Sequence, residues 1–252
     1  MKAKKVYEFV NPRQREVKKH LGLGADQIIK EQIREDFEQW LSEYVFTDYP
    51  PKFKINEDNK VIVLEDLSVA EEATKIPDYV IEVQGDLDII ETNIEYIKHP
   101  ILVKGDFNGY SSSLREFPNI IGANNYLVGN TYITKFPGDF FECFGNLNAA
   151  DLPNMKKLPD RMYVEGDLNL TDCSNLEDLG HDLEVKGDLK LTYTKVYKLP
   201  MNLHCHDLDL SFSHITVIPD GLNITGKIEL EHSKRNIIEL PEGMSLDDIN
   251  WI

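Results

Sequence analysis

The chain has 252 residues, with 44 acidic against 27 basic side chains and a formal net charge of -17. That balance would repel a phosphate backbone and argues against direct nucleic-acid binding, which rests on neutralising phosphates with Lys and Arg. Hydrophobic residues at 41% and charged residues at 28% are the proportions of a folded protein, and no apolar run approaches the roughly 18 residues that span a bilayer.

The opening stretch MKAKKVYEFVNPRQR carries lysines but lacks the apolar core of about 7 to 15 residues that a secretory signal needs, so a cytoplasmic location is expected. Cys143, Cys173 and Cys205 are odd in number, far apart and without C-x-x-C pairing, which predicts free thiols.

Residues 1–50 read as a helical cap. Asn11-Pro12 is an N-cap and first-turn pair, and the helix through Val17 and Leu21 should stop at Gly22 or Gly24. A second helix is predicted from near Asp26 to about Tyr44, with Ile29, Ile33, Phe37, Trp40, Leu41 and Tyr44 on one stripe and Lys30, Glu31, Arg34, Glu35 and Glu38 opposite. Such a stripe either seals the end of a core or forms a docking or dimer surface. In residues 51–75, Phe53 to Ile55 and Val61 to Leu64 flank Glu57-Asp58-Asn59, which predicts a hairpin or an atypical first coil.

Residues 76–252 repeat. V-E-G-D-L-N-L from Val164 returns as V-K-G-D-L-K-L from Val185, and weaker copies start at Val83, Val103, Asn124, Phe144, His206 and Ile224. Anchored on the glycine position, the copies fall at 85, 105, 124, 145, 166, 187, 206 and 226, in steps of 20, 19, 21, 21, 21, 19 and 20 residues. A second landmark runs in phase: Ile76-Pro77, Phe117-Pro118, Phe136-Pro137, Leu158-Pro159, Leu199-Pro200, Ile218-Pro219 and Leu240-Pro241. Within a unit, Val185, Gly187, Leu189 and Leu191 alternate with Lys186, Asp188, Lys190 and Thr192, the period-2 pattern of one strand with one buried face. An apolar residue follows, as in Ile94, Ile133, Val196 and Ile215, before proline turns the chain. A unit this small cannot bury its own face, so the units must stack, about eight of them, around a parallel sheet.

The V-x-G-D-L-x-L strand with its L-P turn resembles the short leucine-rich repeats of tailed-bacteriophage proteins and of secreted bacterial ubiquitin-ligase effectors. The resemblance covers about residues 76 to 252, and the V-Y-E-F-x-N-P opening is similar to that of phage proteins. It implies an α/β-type repeat solenoid of about 20-residue leucine-rich units with an N-terminal α-helical cap. Departures are Asn124 in place of Gly, Ala149 in place of Leu and Gly180 in place of Pro. The effector ligases carry a catalytic domain downstream; nothing of that kind is read here before Ile252, so their activity is not carried over.

No P-loop, G-x-S-x-G, H-E-x-x-H or dinucleotide fingerprint is present, and no catalytic residue, cofactor or metal is expected. In His204-Cys205-His206, a strand would set the two histidines on one face and the cysteine on the other, which does not suit one zinc ion. The outward columns are polar. One reads Asp86, Asp106, Asn125, Asn146, Asp167, Asp188, Asp207 and Lys227; the next reads Asp88, Asn108, Leu127, Asn148, Asn169, Lys190, Asp209 and Glu229. These residues either bond neighbouring backbone in a ladder or meet a basic partner that relieves the stacked charge. Ile90, Tyr110 and Leu127 break the polarity and are candidate anchors. The expected partner-binding set is therefore Asp86, Asp88, Ile90, Asp106, Asn108, Tyr110, Leu127, Asp167, Asp188, Asp207 and Asp209. The expected function is a non-catalytic protein-recognition scaffold, monomeric or homodimeric, and on the phage resemblance an inhibitor of a host defence or nucleic-acid-binding protein. The alternatives are a self-assembling structural component and an adaptor for ubiquitin-ligase chemistry.

Overall fold

The structure, a computed structural model, describes residues 23–45, 49–233, 237, 239 and 240. The helix expected around Val17 and Leu21 lies outside them.

Helix α1 spans Leu23–Tyr44, with Gly24 inside its first turn. Its apolar stripe is buried as expected: Ile29, Ile33, Phe37, Trp40 and Leu41 join the core and Tyr44 packs at its margin. Phe37 is the keystone of this contact, edge-on to Phe53 at 4.8 Å and to Tyr79 at 6.2 Å and stacked on Trp40 at 5.7 Å. The Tyr44 carbonyl accepts from the Ala70 N–H at 2.7 Å, tying the helix end to the first coil. The helix thus covers apolar side chains of the first coil, before which no other coil lies among the described residues, as a terminal cap must.

Strands β1 (Phe53–Ile55) and β2 (Val61–Val63) form an antiparallel hairpin closed by Asn59 at φ 59°. β2 then pairs in parallel with β4 (Val80–Val83), so the hairpin's second strand is also the first strand of the solenoid. The coils are wound from two short strands each, where the sequence suggested one. The first side carries β2, β4, β6 (Ile101–Val103) and β8 (Ile120–Ile121), then β10 (Phe140–Cys143), β12 (Arg161–Val164), β14 (Asp182–Val185), β16 (His204–Cys205) and β18 (Asn223–Ile224). The second side is one nine-stranded parallel sheet of two-residue strands: β3 (Leu67–Ser68), β5 (Leu87–Asp88), β7 (Phe107–Asn108), β9 (Tyr126–Leu127), β11 (Leu147–Asn148), β13 (Leu168–Asn169), β15 (Leu189–Lys190), β17 (Leu208–Asp209) and β19 (Ile228–Glu229). The third side is irregular, with isolated parallel bridges such as Lys157↔Asp178 and Lys198↔Val217. The molecule is therefore a parallel β-solenoid of about 20-residue coils. Among the described residues its α/β character is limited to α1, because the coils contain no helix.

The strand splits because the Gly-Asp pair is a corner. Val185 and Leu189 both point inward and are fully buried, while Gly187 sits at the bend between them. Two coils of the array are one residue short: Ala123-Asn124-Asn125 and Cys205-His206-Asp207 replace the four-residue corner seen in Val185-Lys186-Gly187-Asp188. Asn124 and His206 stand where glycine is expected, and their N–H groups bond the Gly105 and Gly187 carbonyls of the previous coil at 2.9 and 2.8 Å.

The first side is interrupted once. β8 ends one five-stranded sheet and β10 begins another. Five rings crowd the core there: Phe117 lies 4.7 Å from Phe136 and 4.8 Å from Phe141, with Tyr126 and Phe107 adjoining. Beside them lies a cleft of about 340 Å³ lined by Phe117, Pro118, Ile120, Pro137 and Phe141. The Tyr126 hydroxyl satisfies the stranded Ile120 carbonyl at 3.3 Å.

Truncating the keystone tests the cap. Phe37→Ala should lower unfolding free energy by about 3–5 kcal/mol in urea melts, the range for removing a buried phenyl ring. A change within 1 kcal/mol would mean that α1 does not seal the core.

Candidate functional site

The acidic corner column is a hydrogen-bond ladder. Asp66 Oδ1 accepts from the Asp86 N–H at 2.9 Å, and Asp86 Oδ1 in turn accepts from the Asp106 N–H at 2.8 Å. The series continues through Asp106, Asn125, Asn146, Asp167, Asp188 and Asp207, whose Oδ1 atoms accept from the N–H of residues 125, 146, 167, 188, 207 and 227 at 2.7 to 3.2 Å. Of the expected binding residues, Asp86, Asp106, Asp167, Asp188 and Asp207 thus hold successive coils together.

The ladder explains the glycine beside each rung. A Cβ on Gly85, Gly105, Gly166, Gly187 or Gly226 would come within 1.9 to 2.2 Å of the Oδ1 atom reaching over from the preceding coil. Glycine is required here for close approach; none of the five has a left-handed φ. Glu65 occupies the equivalent corner beside Asp66 and tolerates a side chain, since among the described residues no earlier coil sends an Oδ1 atom against it.

The next column does a different local job. Asp88, Asn108, Asn148, Asn169 and Asp209 turn their Oδ1 atoms back onto the N–H two residues on, at 2.9 to 3.2 Å. Each thereby closes an Asx turn at the end of its strand. From the second coil onward the residue after that turn is left-handed: Glu91, Ser111, Asn130, Asp151, Asp172, Tyr193, Phe212 and His232, at φ of 52 to 60°. A buried hydroxyl follows, and Thr92, Ser112, Thr131, Thr194 and Ser213 each donate to the carbonyl three residues back at 2.6 to 2.9 Å. In one coil a thiol replaces it, Cys173 Sγ lying 3.1 Å from the Ala149 carbonyl; in another Leu152 fills the place beside the small Ala149. Sequence reading missed this hydroxyl column, although Thr92, Ser112, Thr131, Thr194, Ser213 and Ser233 keep the spacing of the repeat.

The expected anchors come together. Leu127 pairs in register with Asn108 and Asn148 on the outer side of the nine-stranded sheet, and Ile90 and Tyr110 are 39% and 36% exposed at its edge. A Cβ on Gly129 would stand 3.4 Å from the Tyr110 ring, so the ring lies across a glycine of the next coil. Sequence reading also missed a ring stack at the same edge: Tyr193 on Phe212 at 4.7 Å and Phe212 on His232 at 4.5 Å. The histidine in this stack is the only member whose type would have hidden it from an aromatic count.

Cys205 is fully buried while His204 and His206 are not, as the strand alternation implied. His206 instead joins Asp188 and Asp207, whose ligand atoms lie within 4.8 Å of one another and could approach a cation. Both Oδ1 atoms already serve the ladder, and the His206 Nδ1 lies 3.0 Å from the Thr225 hydroxyl. Burial pushes the Cys173 thiol up to about 12, and Cys205 likewise to about 12 with the Asp188 and Asp207 charges adding to the effect; Cys143 is raised by burial too. All three thiols stay protonated near neutral pH and are poor nucleophiles.

The chain matches no protein-family model, no curated protein and no solved structure. No helix among the described residues is long and apolar enough to cross a membrane.

The ladder separates carboxylate charge from carbonyl-type acceptance. Asp167→Asn should leave stability within about 0.5 kcal/mol, since Asn125 and Asn146 already serve as rungs, whereas Asp167→Ala should cost about 1 kcal/mol. Gly187→Ala should cost about 2–3 kcal/mol, because its Cβ displaces a rung and presses on backbone. Urea melts of the three variants check this, and an alanine at 187 as stable as wild type would remove the ladder from the account. Separately, a thiol reagent at pH 8 should label no cysteine of the native chain at more than a small fraction of the rate seen in denaturant; rapid labelling of Cys173 would contradict its burial.

Proposed function

We propose that this protein is a non-catalytic recognition scaffold that binds a basic protein through the outer face of its nine-stranded sheet. The observation that supports this best is the way that the ladder disposes of charge. Each rung commits one oxygen to backbone, and the aspartate rungs keep a second oxygen and the negative charge at the surface, about 4.8 Å apart within two runs, Asp66 to Asp106 and Asp167 to Asp207, separated by the neutral Asn125 and Asn146. A rigid anionic row is suited to steering and registering a basic partner. Beside that row, Leu127 in the next column with Ile90 and Tyr110 at the sheet edge form an apolar patch, the kind of anchor on which binding energy concentrates.

The buried, protonated thiols support a binding role over thiol chemistry. The likeness of the repeat to leucine-rich units of phage proteins extends the proposal to a host-directed inhibitor. Its target would be a nucleic-acid-binding protein, because such a partner already carries the basic surface this face complements.

Affinity capture from lysate with wild type and with a variant carrying Asp88→Lys, Tyr110→Ala and Leu127→Ala tests the assignment. The lysine is structurally admissible because Lys190 occupies the same column in its own coil. The expected result is a basic protein held by wild type, released as salt is raised, and bound at least roughly tenfold more weakly by the variant. Equal retention by the variant would place binding off this face and overturn the reading.

A further inference from the structure

At the edge of the nine-stranded sheet, the left-handed column leaves several side chains that the coil's own hydrogen bonds do not use. Asp151, Asp172, Tyr193, Phe212 and His232 occupy it in successive coils, at φ of 55 to 60°. The three rings stack along the solenoid axis with interplanar angles of 21° and 33°. Phe212 is consequently covered on both faces. Tyr193 has one face on Phe212 and the other turned toward the coil of Asp172, and it is 48% exposed. That coil is in register: Leu168 pairs with Leu189, and the Asp172 N–H donates to the Thr192 carbonyl at 2.9 Å. Asp151 and Asp172 are both exposed, and neither carboxylate has a hydrogen bond or ion pair among the described residues.

An aromatic residue in a left-handed turn is held there against its own preference, which Asn or Gly would satisfy better. Tyr193 and Phe212 recover part of that cost from each other, and among the described residues no ring or cation lies on the other face of the half-exposed Tyr193. Asp172 holds the same position one coil before Tyr193, and both side chains are exposed.

We propose that this ridge seats an arginine side chain of the basic partner, with the guanidinium plane on that other face of Tyr193 and its N–H groups on Asp172. Asp151, one coil further, neutralises a second cation of the same partner. Arginine fits because a planar cation stacks on an aromatic face and forks onto a carboxylate at once, whereas lysine presents a compact, strongly hydrated point charge. A neutral aromatic group would cover the ring and leave both carboxylates uncompensated. This proposal rests on the nine-stranded face being the partner surface, but it concerns residues well separated in sequence from Asp88, Tyr110 and Leu127.

The experiment uses the full chain and two short blocked peptides that differ only in carrying three arginines or three lysines, with binding followed by fluorescence anisotropy. Wild type should prefer the arginine peptide by roughly three- to tenfold. Tyr193→Asn, which installs the residue that Asn130 already provides at this position, should erase that preference while lysine-peptide binding persists; Tyr193→Phe should retain it. Asp172→Asn should weaken both peptides several-fold. Equal affinity of wild type for the two peptides, or a preference that survives Tyr193→Asn, overturns the ridge. Should the natural partner be lost with Asp88→Lys, Tyr110→Ala and Leu127→Ala while wild type shows no arginine preference, only the ridge falls. Should that variant hold the partner as well as wild type does, the face reading itself has failed.

Discussion

The structure depends on a single repeated hydrogen bond, from the backbone N–H at one corner to the Asp or Asn Oδ1 of the coil before it. Strand pairing alone does little to hold a corner, because the second-side strands are only two residues long and the chain bends immediately before them. The ladder supplies the missing bond at that bend and requires an unobstructed approach, which is why glycine precedes most rungs. The Gly-Asp pair is thus one device made of two residues, a space and the group that reaches into it. Stability built this way is nearest-neighbour: each coil is fastened to the next by its rung, its parallel strand pairs and its share of the continuous apolar core.

The rest of the coil follows from keeping that rung in step. An Asx turn ends the second strand, a left-handed residue redirects the chain, and a buried hydroxyl caps the carbonyl three residues back, so that a tight corner is made without a stranded polar group. Variation is absorbed locally. Two coils lose one corner residue and keep their backbone bonds to the previous coil. The first side breaks between β8 and β10, where a cluster of large rings fills the core, while the nine-stranded sheet runs on unbroken. The side that carries the ladder is the side that does not give.

The same arrangement shapes the functional proposal. A ladder built partly from aspartates leaves a fixed row of charge as a by-product, so the stacking bond and the electrostatic face cannot be varied independently at Asp86, Asp106, Asp167, Asp188 or Asp207. Charge can be altered without touching a rung at Asp88, Asp151 and Asp172, and apolar anchorage at Ile90, Tyr110, Leu127 and Tyr193. A scaffold of this kind can change what it recognises at its edges while its axis stays the same.

Sequence alone was enough for the period, the phase of the apolar-Pro landmark, the inward Val and Leu positions and the stripe of α1, because each is set by side-chain hydrophobicity along a regular backbone. It left open whether the Asp and Asn columns bond the protein or a partner. In Asp167 and Asp209 the same kind of side chain serves two different bonds, one to the next coil and one to its own turn, and linear order carries no sign of which. Tertiary structure showed which backbone N–H each Oδ1 atom takes, the split of each unit into two strands, and the meeting of Tyr193, Phe212 and His232, residues 19 and 20 positions apart. All three depend on how one coil is set over the next, which is a property of stacking and cannot be read within a single repeat.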